Sequence, residues 1–160
     1  MAGVGNVLWG DDGFGVVVVQ RLQSEQFAGD VRVVEIGTGG INLVQDLMDP
    51  VDALVVIDAV DHGRPPGTVM HIDPEVADVD DMAPMERYDF LADMHYTKPE
   101  RAFMLAKALG RLPETFVLLG CQPENVERLG TELSEPVQAA VEGAVGEVHR
   151  IVDQLGADAG

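Results

Sequence analysis

The sequence has little cysteine, few basic residues and no long apolar run. Its single cysteine, Cys121, excludes an intramolecular disulfide and a zinc site built from thiolates. Ten Lys and Arg stand against 28 Asp and Glu, a formal net charge of −18, which argues against binding to nucleic acid or to an anionic membrane surface. Apolar runs reach only four or five residues, far short of a membrane span. With no signal-like segment, we expect a reduced, cytoplasmic protein.

The acidity does not indicate disorder, because 46% of the residues are apolar. A chain of 160 residues fits one domain, and we predict a single domain over residues 1–160. A domain of this size buries roughly 68–70% of its unfolded surface, so its core needs no disulfide or metal to hold it together.

Apolar runs alternate with helical patterns along the chain, which predicts an α/β sandwich with a largely parallel sheet. Only nine residues separate Asp58 from the fourth strand, too few for a helical crossover, so we expect that strand to be antiparallel. The predicted strands are residues 1–5, 31–36, 53–57, 68–72 and 115–119. The predicted helices are residues 13–25, 41–48, 97–109 with a capping box at Thr97, and 134–155 with Ser134 as its cap.

Two segments need separate interpretation. The run Val16–Val19 has the composition of a strand, but Asp11 and Asp12 precede it, as suits a helix N-terminus, and we predict a helix. Residues 73–94 are acidic and contain Pro74 and Pro84, and we predict a long irregular loop there.

Three polar features are predicted at the carboxyl ends of the strands, where open α/β sheets bind ligands. The pair Asp11 and Asp12 follows the first strand, Asp58 ends the central strand, and His95 precedes the helix that begins near Thr97. Two carboxylates and an imidazole suit nickel, zinc or manganese. Purely structural alternatives stay open: Asp11 or Asp12 could cap a helix, Asp58 could cap a turn, and His95 could form a local hydrogen bond.

Other residues favour structural roles. We interpret Asp61 and His62 as turn residues, and His71 and His149 as histidines without a metal partner. Cys121 follows a strand but has no basic neighbour in sequence, which is typical of an inert thiol. Zinc-protease helices, serine-hydrolase elbows and phosphate loops are absent, and the start of a dinucleotide fingerprint at Gly3 lacks its third glycine.

An ordered set of motifs covers nearly the whole chain and resembles the nickel–iron hydrogenase maturation proteases. These endopeptidases trim the C-terminal extension of the hydrogenase large subunit. The matching segments, in order, are Gly3–Val16, Gly37–Leu43, Ile57–Asp61, Pro66–Thr68, Met94–His95, Gly120–Pro123 and Leu133–Val137. Each motif alone is weak, but their order is specific to the family.

The resemblance implies a three-layer sandwich with a five-stranded, mostly parallel, twisted sheet and helices on both faces. It implies that Asp12, Asp58 and His95 contact the nickel already inserted in the large-subunit precursor, and that they are the catalytic residues. Nickel is then supplied by the substrate, and other divalent metals could occupy the site. An acid pair of aspartyl-protease type is conceivable, although the Asp-Thr/Ser-Gly signature is absent. Family members commonly act as monomers.

Two other functions stay open: a non-catalytic docking module that binds the precursor without shortening it, and a small-molecule hydrolase using the same carboxylates. The acidic segment between Asp73 and Asp93 leads to His95, and we expect it to steer a complementary precursor surface. A plain solvated surface is the alternative.

Overall fold

The computed structural model describes residues 1–92 and 99–158, and these contain five strands and five α-helices. The strands are β1 (Ala2–Val4), β2 (Val34–Gly37), β3 (Ala53–Ala59), β4 (Val69–Ile72) and β5 (Thr115–Cys121). The helices are α1 (Phe14–Leu22), α2 (Gly40–Asp46), α3 (Pro84–Ala92), α4 (Pro99–Ala108) and α5 (Glu135–Asp158), with short 3-10 turns at Gly10–Gly13 and Val79–Asp81. None of the described helices has the length and apolar character needed to cross a membrane.

The strands form one sheet in the order β2-β1-β3-β5-β4. Neighbours are parallel except for β4, which pairs antiparallel with β5. The antiparallel prediction is confirmed, and its reason is the connection from β3, which is too short for a crossover helix. The first strand is as short as expected, because only Ala2–Val4 pair with β2 and β3.

Helices cover both faces of this sheet. Along β3, Val55 and Ile57 pack with α1 and α5, whereas Leu54 and Val56 pack with α2 and α4. A strand that is apolar on both sides must be buried on both sides, which explains the unbroken run from Ala53 to Ile57. The expected three-layer α/β sandwich with five strands is therefore confirmed.

The four-valine run is helical, as predicted. Val16, Val18 and Val19 are fully buried in α1, and Val18 and Val19 belong to the core cluster shared with β3 and α5. Valine has a modest intrinsic cost in a helix, and the burial of several side chains at ~1.5–3 kcal/mol each outweighs it.

The prediction of an irregular loop over residues 73–94 is wrong. That segment contains a 3-10 turn and α3, whose first residue is Pro84. Phe90 and Val79 are buried together there, against Met104 and Leu105 of α4. This burial orders the segment, and a proline is well tolerated at the first position of a helix. The predicted capping residue Thr97 lies outside the described residues.

Candidate active site

The topology creates one crevice at the carboxyl ends of β1 and β3. The chain leaves β1 for β2 on one side and later enters β3 on the other, so the direction of winding reverses between these strands. Asp12 lies in the 3-10 turn that follows β1, and Asp58 lies near the end of β3. The structure therefore brings two of the three predicted site residues to the expected edge of the sheet. His95, the third, lies outside the described residues.

Two glycines let the Asp12 loop lie directly on the strand ends. Gly5 has φ +126°, and a Cβ atom there would stand 1.8 Å from the Asp12 carbonyl oxygen. A Cβ atom on Gly15 would stand 2.0 Å from the carbonyl oxygen of Ile57, the residue before Asp58. A larger residue at Gly5 would force the Asp12 loop away from the end of β1, and one at Gly15 would force the start of α1 away from β3. The glycines of the opening motif thus fix where Asp12 lies relative to Asp58.

Asp12 is half-buried and is oriented by its own loop. Its Oδ2 accepts a 2.7 Å hydrogen bond from the Asn6 backbone N–H. Its own N–H donates to the Trp9 carbonyl oxygen at 3.2 Å. Helix α1 begins after Gly13 without a side-chain cap, so Asp12 does not cap this helix. Neither the 3-10 turn nor α1 uses the Asp12 side chain as a cap, which excludes that alternative.

Asp58 is buried, with 8% of its surface exposed. Burial first, and then the nearby negative charge of Asp12, raise the pKa of its carboxyl to about 8. The Ala59 N–H, at 2.8 Å from Oδ1, opposes the rise, and the charge of Glu100 adds to it. Carboxyl groups that repel each other in a buried crevice form a site suited to a cation.

Asp11 has a structural role that the sequence did not reveal. It is 1% exposed, and its carboxylate accepts four hydrogen bonds, from the Glu124, Asn125 and Ser134 N–H groups and from the Ser134 hydroxyl, at 2.6–3.1 Å. Burial alone would raise the pKa of Asp11, but these hydrogen bonds outweigh it and hold the pKa below its usual value. With both oxygens occupied, Asp11 ties the loop after β1 to residues 124–134 instead of capping a helix.

Gln122 is a second buried polar residue that sequence reasoning missed. Its Oε1 accepts from the His62 and Arg64 N–H groups, and its Nε2 donates to Asp61 Oδ1 at 2.9 Å and to the Pro123 carbonyl oxygen. These bonds hold the loop that follows Asp58 against the end of β5. The only signal in the sequence was the position of Gln122 in the segment Gly120–Pro123, directly after a predicted strand. Glutamine is mostly exposed in proteins, so its burial could not be expected from the sequence.

The residues interpreted as structural have structural surroundings. Asp61 accepts from the Gly63 N–H in a turn, which is the expected role. His71 pairs with Glu147 at 2.5 Å, and His149 pairs with Glu25. Burial, followed by the charge of Asp11, raises the pKa of Cys121 to about 12, as befits an inert thiol. Across residues 1–92 and 99–158, no three His, Cys, Asp or Glu residues cluster closely enough to hold a metal.

Comparison with protein families and curated proteins gives a consistent result. A family model described as "HycI: Hydrogenase maturation protease" matches residues 16–151, a range that contains Asp58 and starts after Asp12. The "Hydrogenase expression/formation protein HoxM" of Cupriavidus necator is 39% identical over 144 residues, which cover 89% of this chain and 68% of that protein. The "Hydrogenase expression/formation protein HupD" of Rhizobium leguminosarum bv. viciae is 32% identical over 155 residues, covering 96% of this chain and 73% of that protein.

Solved structures match over almost the full length. A hydrogenase 2 maturation peptidase from a Thaumarchaeota archaeon aligns with a TM-score of 0.66 and 35% identity, covering 97% of this chain and 96% of that one. The hydrogenase maturating endopeptidase HybD from E. coli aligns with a TM-score of 0.74 and 27% identity, covering 97% and 91%. Both agree with the five-stranded α/β fold described above.

Proposed function

The chain belongs to the hydrogenase maturation protease family, and from that premise we propose that it removes a C-terminal extension from the large-subunit precursor of a nickel–iron hydrogenase. We further propose that cleavage requires nickel in the precursor, because the metal is the element that the site recognises. The reaction is hydrolysis of one peptide bond: water adds its hydroxyl to the carbonyl carbon and a proton to the leaving amine.

The observation that carries the proposal is the meeting of Asp12 and Asp58 at the crevice between β1 and β3. Both are oxygen donors, Asp58 is buried, and burial with the charge of Asp12 favours the protonated form of Asp58, whose proton a bound cation would replace. Carboxylates with an imidazole are ligands that nickel accepts. His95 is our proposed third ligand, on the strength of the resemblance alone.

An incomplete ligand set fits a metal that the substrate brings. Asp12, Asp58 and the proposed ligand His95 would leave coordination positions of the nickel open. Nickel held by the precursor would fill its remaining coordination positions with the precursor's own side chains. The contact would then report that nickel is present and would place the scissile bond beside the crevice.

The decisive experiment compares nickel-loaded and nickel-free precursor as substrates, with cleavage followed by the mass of the large subunit. We expect the loaded form alone to be shortened. Equal cleavage of both forms would contradict nickel recognition. If the loaded precursor binds but keeps its mass, the protein is a docking module, and the proposed cleavage is wrong.

Single substitutions test the proposed role of each site residue. Asp58→Asn and Asp12→Asn should each lower kcat/KM by at least 100-fold, because an amide binds a divalent cation far more weakly than a carboxylate does. Asp61→Asn is the matched control, since Asp61 lies three residues further along, is exposed, and keeps an acceptor oxygen for Gly63 and Gln122. His95→Ala should lose activity, and His62→Ala should retain it. Wild-type rates in Asp58→Asn would refute its role.

Steering by the acidic segment stays a prediction. Its acidic side chains are mostly exposed, although Asp80 pairs with Arg87 and Asp78 with Lys107. If the segment attracts the precursor, kcat/KM should fall as ionic strength rises, since at 0.1 M salt largely screens exposed charges that are more than about 10 Å apart. A rate independent of salt contradicts the steering.

A further inference from the structure

Exposed large hydrophobic side chains are concentrated beside the crevice. Of nine such side chains in the described part of the chain, five lie in two loops. We call this set the apolar rim; its members are Val7, Leu8, Trp9, Val126 and Leu129. Leu8 is 55% exposed, Leu129 is 73% exposed, and Trp9 is the only tryptophan in the sequence. Clustered exposed apolar side chains typically mark a protein-binding surface.

The two loops of the rim form one unit. The Gly130 N–H donates to the Leu8 carbonyl oxygen at 2.9 Å, and the Gly10 N–H donates to the Gly130 carbonyl oxygen at 2.8 Å. Trp9 and Gly130 also form a parallel β-bridge. Leu129, directly before Gly130, is therefore held next to Leu8 and Trp9. The apolar rim is thus one surface and not a set of scattered side chains.

The backbone beneath the rim is well ordered by side-chain hydrogen bonds. Asn6 Oδ1 accepts from the Leu8 N–H at 3.0 Å, and Asn125 Oδ1 accepts from the Glu127 and Arg128 N–H groups at 2.8 and 3.0 Å. Asp11, which directly follows the first loop, joins it to the second by accepting hydrogen bonds from the Glu124 and Asn125 N–H groups. A docking surface that is already ordered loses little conformational entropy on binding, and this raises affinity.

The rim is continuous with the candidate active site. The Trp9 carbonyl oxygen accepts from the Asp12 N–H, and the Asn6 N–H donates to the Asp12 carboxylate. A polypeptide bound on the rim would therefore approach the crevice from its β1 side. This position suits a surface that holds a protein substrate while its reactive region reaches Asp12.

Charge around the rim indicates what kind of segment it binds. Glu124, Glu127 and Glu132 are exposed on the second loop, where Arg128 is the one basic residue of the segment 123–135. A complementary partner segment carries apolar side chains with Lys or Arg beside them, since opposite charges at the edge of an interface favour association.

We propose that the apolar rim is the docking surface for the hydrogenase large-subunit precursor, which binds it through an apolar segment flanked by basic residues. This inference rests on the proposed function and adds the place of binding. Tryptophan and leucine on an ordered loop supply the apolar contact, and the surrounding glutamates select the basic flanks.

The test measures KM and kcat for cleavage of nickel-loaded precursor by Leu8→Ser, Leu129→Ser and the double variant. Leu109→Ser is the matched control, because Leu109 is 51% exposed and follows α4, away from both loops in sequence. We expect KM to rise at least tenfold in the double variant with kcat unchanged, and to stay within twofold in the control. Glu127→Gln/Glu132→Gln should raise KM about threefold.

The outcomes separate this inference from the proposed function. If wild-type protein does not cleave loaded precursor, the proposed function fails. If wild-type protein cleaves it and the double variant has an unchanged KM, the docking surface is wrong. A fall in kcat at constant KM also overturns docking, because it places the rim in the cleavage step. An unchanged KM in the glutamate variant contradicts only the proposed recognition of basic flanking residues, and not the docking surface.

Discussion

Replacing Asp11 by asparagine should detach the segment 124–134 from the loop after β1. The substitution preserves the shape of the side chain but exchanges one acceptor oxygen for an amide donor. Asp11 Oδ2 accepts three hydrogen bonds and Oδ1 accepts one, from the Ser134 N–H at 2.6 Å. The asparagine will therefore place its oxygen at the Oδ2 position, which leaves the Ser134 N–H facing an N–H₂ group.

The expected loss is about 4 kcal/mol of unfolding free energy. A hydrogen bond to a charged acceptor contributes ~1.5–3 kcal/mol, against ~0.5–1.5 for a neutral one, so three weakened bonds lose about 1 kcal/mol each. The orphaned donor at Ser134 adds ~1–3 kcal/mol, at the lower end because water reaches this loop. Asp61→Asn is the control, and it should lose much less stability than Asp11→Asn because one oxygen accepts both of its bonds.

Urea denaturation followed by circular dichroism measures the loss, and hydrogen exchange locates it. We expect faster exchange at the Glu124, Asn125 and Ser134 amides, which bond to Asp11. If the apolar rim docks the precursor, KM should also rise in Asp11→Asn. A loss below ~1 kcal/mol with unchanged exchange at these three amides would show that Asp11 does not hold the loop.

Three further outcomes follow from the buried groups. Because the folded pKa of Asp58, about 8, exceeds the unfolded value of 3.8, wild-type stability should fall relative to Asp58→Asn as pH rises from 4 to 8. The difference reaches about 4 kcal/mol at pH 7 in urea titrations with EDTA. The control is Asp153→Asn, since Asp153 is exposed on α5. A difference that does not change with pH, or one that Asp153→Asn reproduces, contradicts the prediction. Cys121, with its pKa raised to about 12, should react with iodoacetamide only on unfolding; rapid alkylation of folded protein would refute this. Gly15→Ala should cost ~3 kcal/mol and reduce cleavage, because its Cβ overlaps the Ile57 carbonyl oxygen; native stability would contradict that overlap.

Elements with a strong local pattern could be predicted from the sequence. The unbroken apolar run at Ala53–Ile57 has to be a strand buried on both faces, and the short connection after Asp58 makes β4 antiparallel. The helical pattern of residues 41–48 and the final helix from Glu135 were found for the same reason. Their ends differ by one to a few residues, because helix and strand termini depend on partners that are distant in sequence.

Helix α3 could not be predicted, because its reason is tertiary. Residues 84–92 are acidic with weak helical amphipathicity, and two prolines lie in the segment 73–94. Phe90 becomes a core residue only because α4 offers Met104 and Leu105 beside it. Local propensity does not depend on such a distant partner, so the sequence pattern favoured a loop.

The scarcity of cysteine and of basic residues, the α/β class and the strand-end positions of Asp12 and Asp58 were determined by the sequence alone, since composition and periodicity are local properties. The tertiary structure decided the role of each carboxylate. Asp11 and Asp12 are adjacent in sequence, yet one is saturated by donors from residues 124–134 and the other lies beside Asp58. Only folding brings those distant N–H groups to Asp11 and buries Asp58, and these surroundings separate a structural carboxylate from a pair suited to a cation.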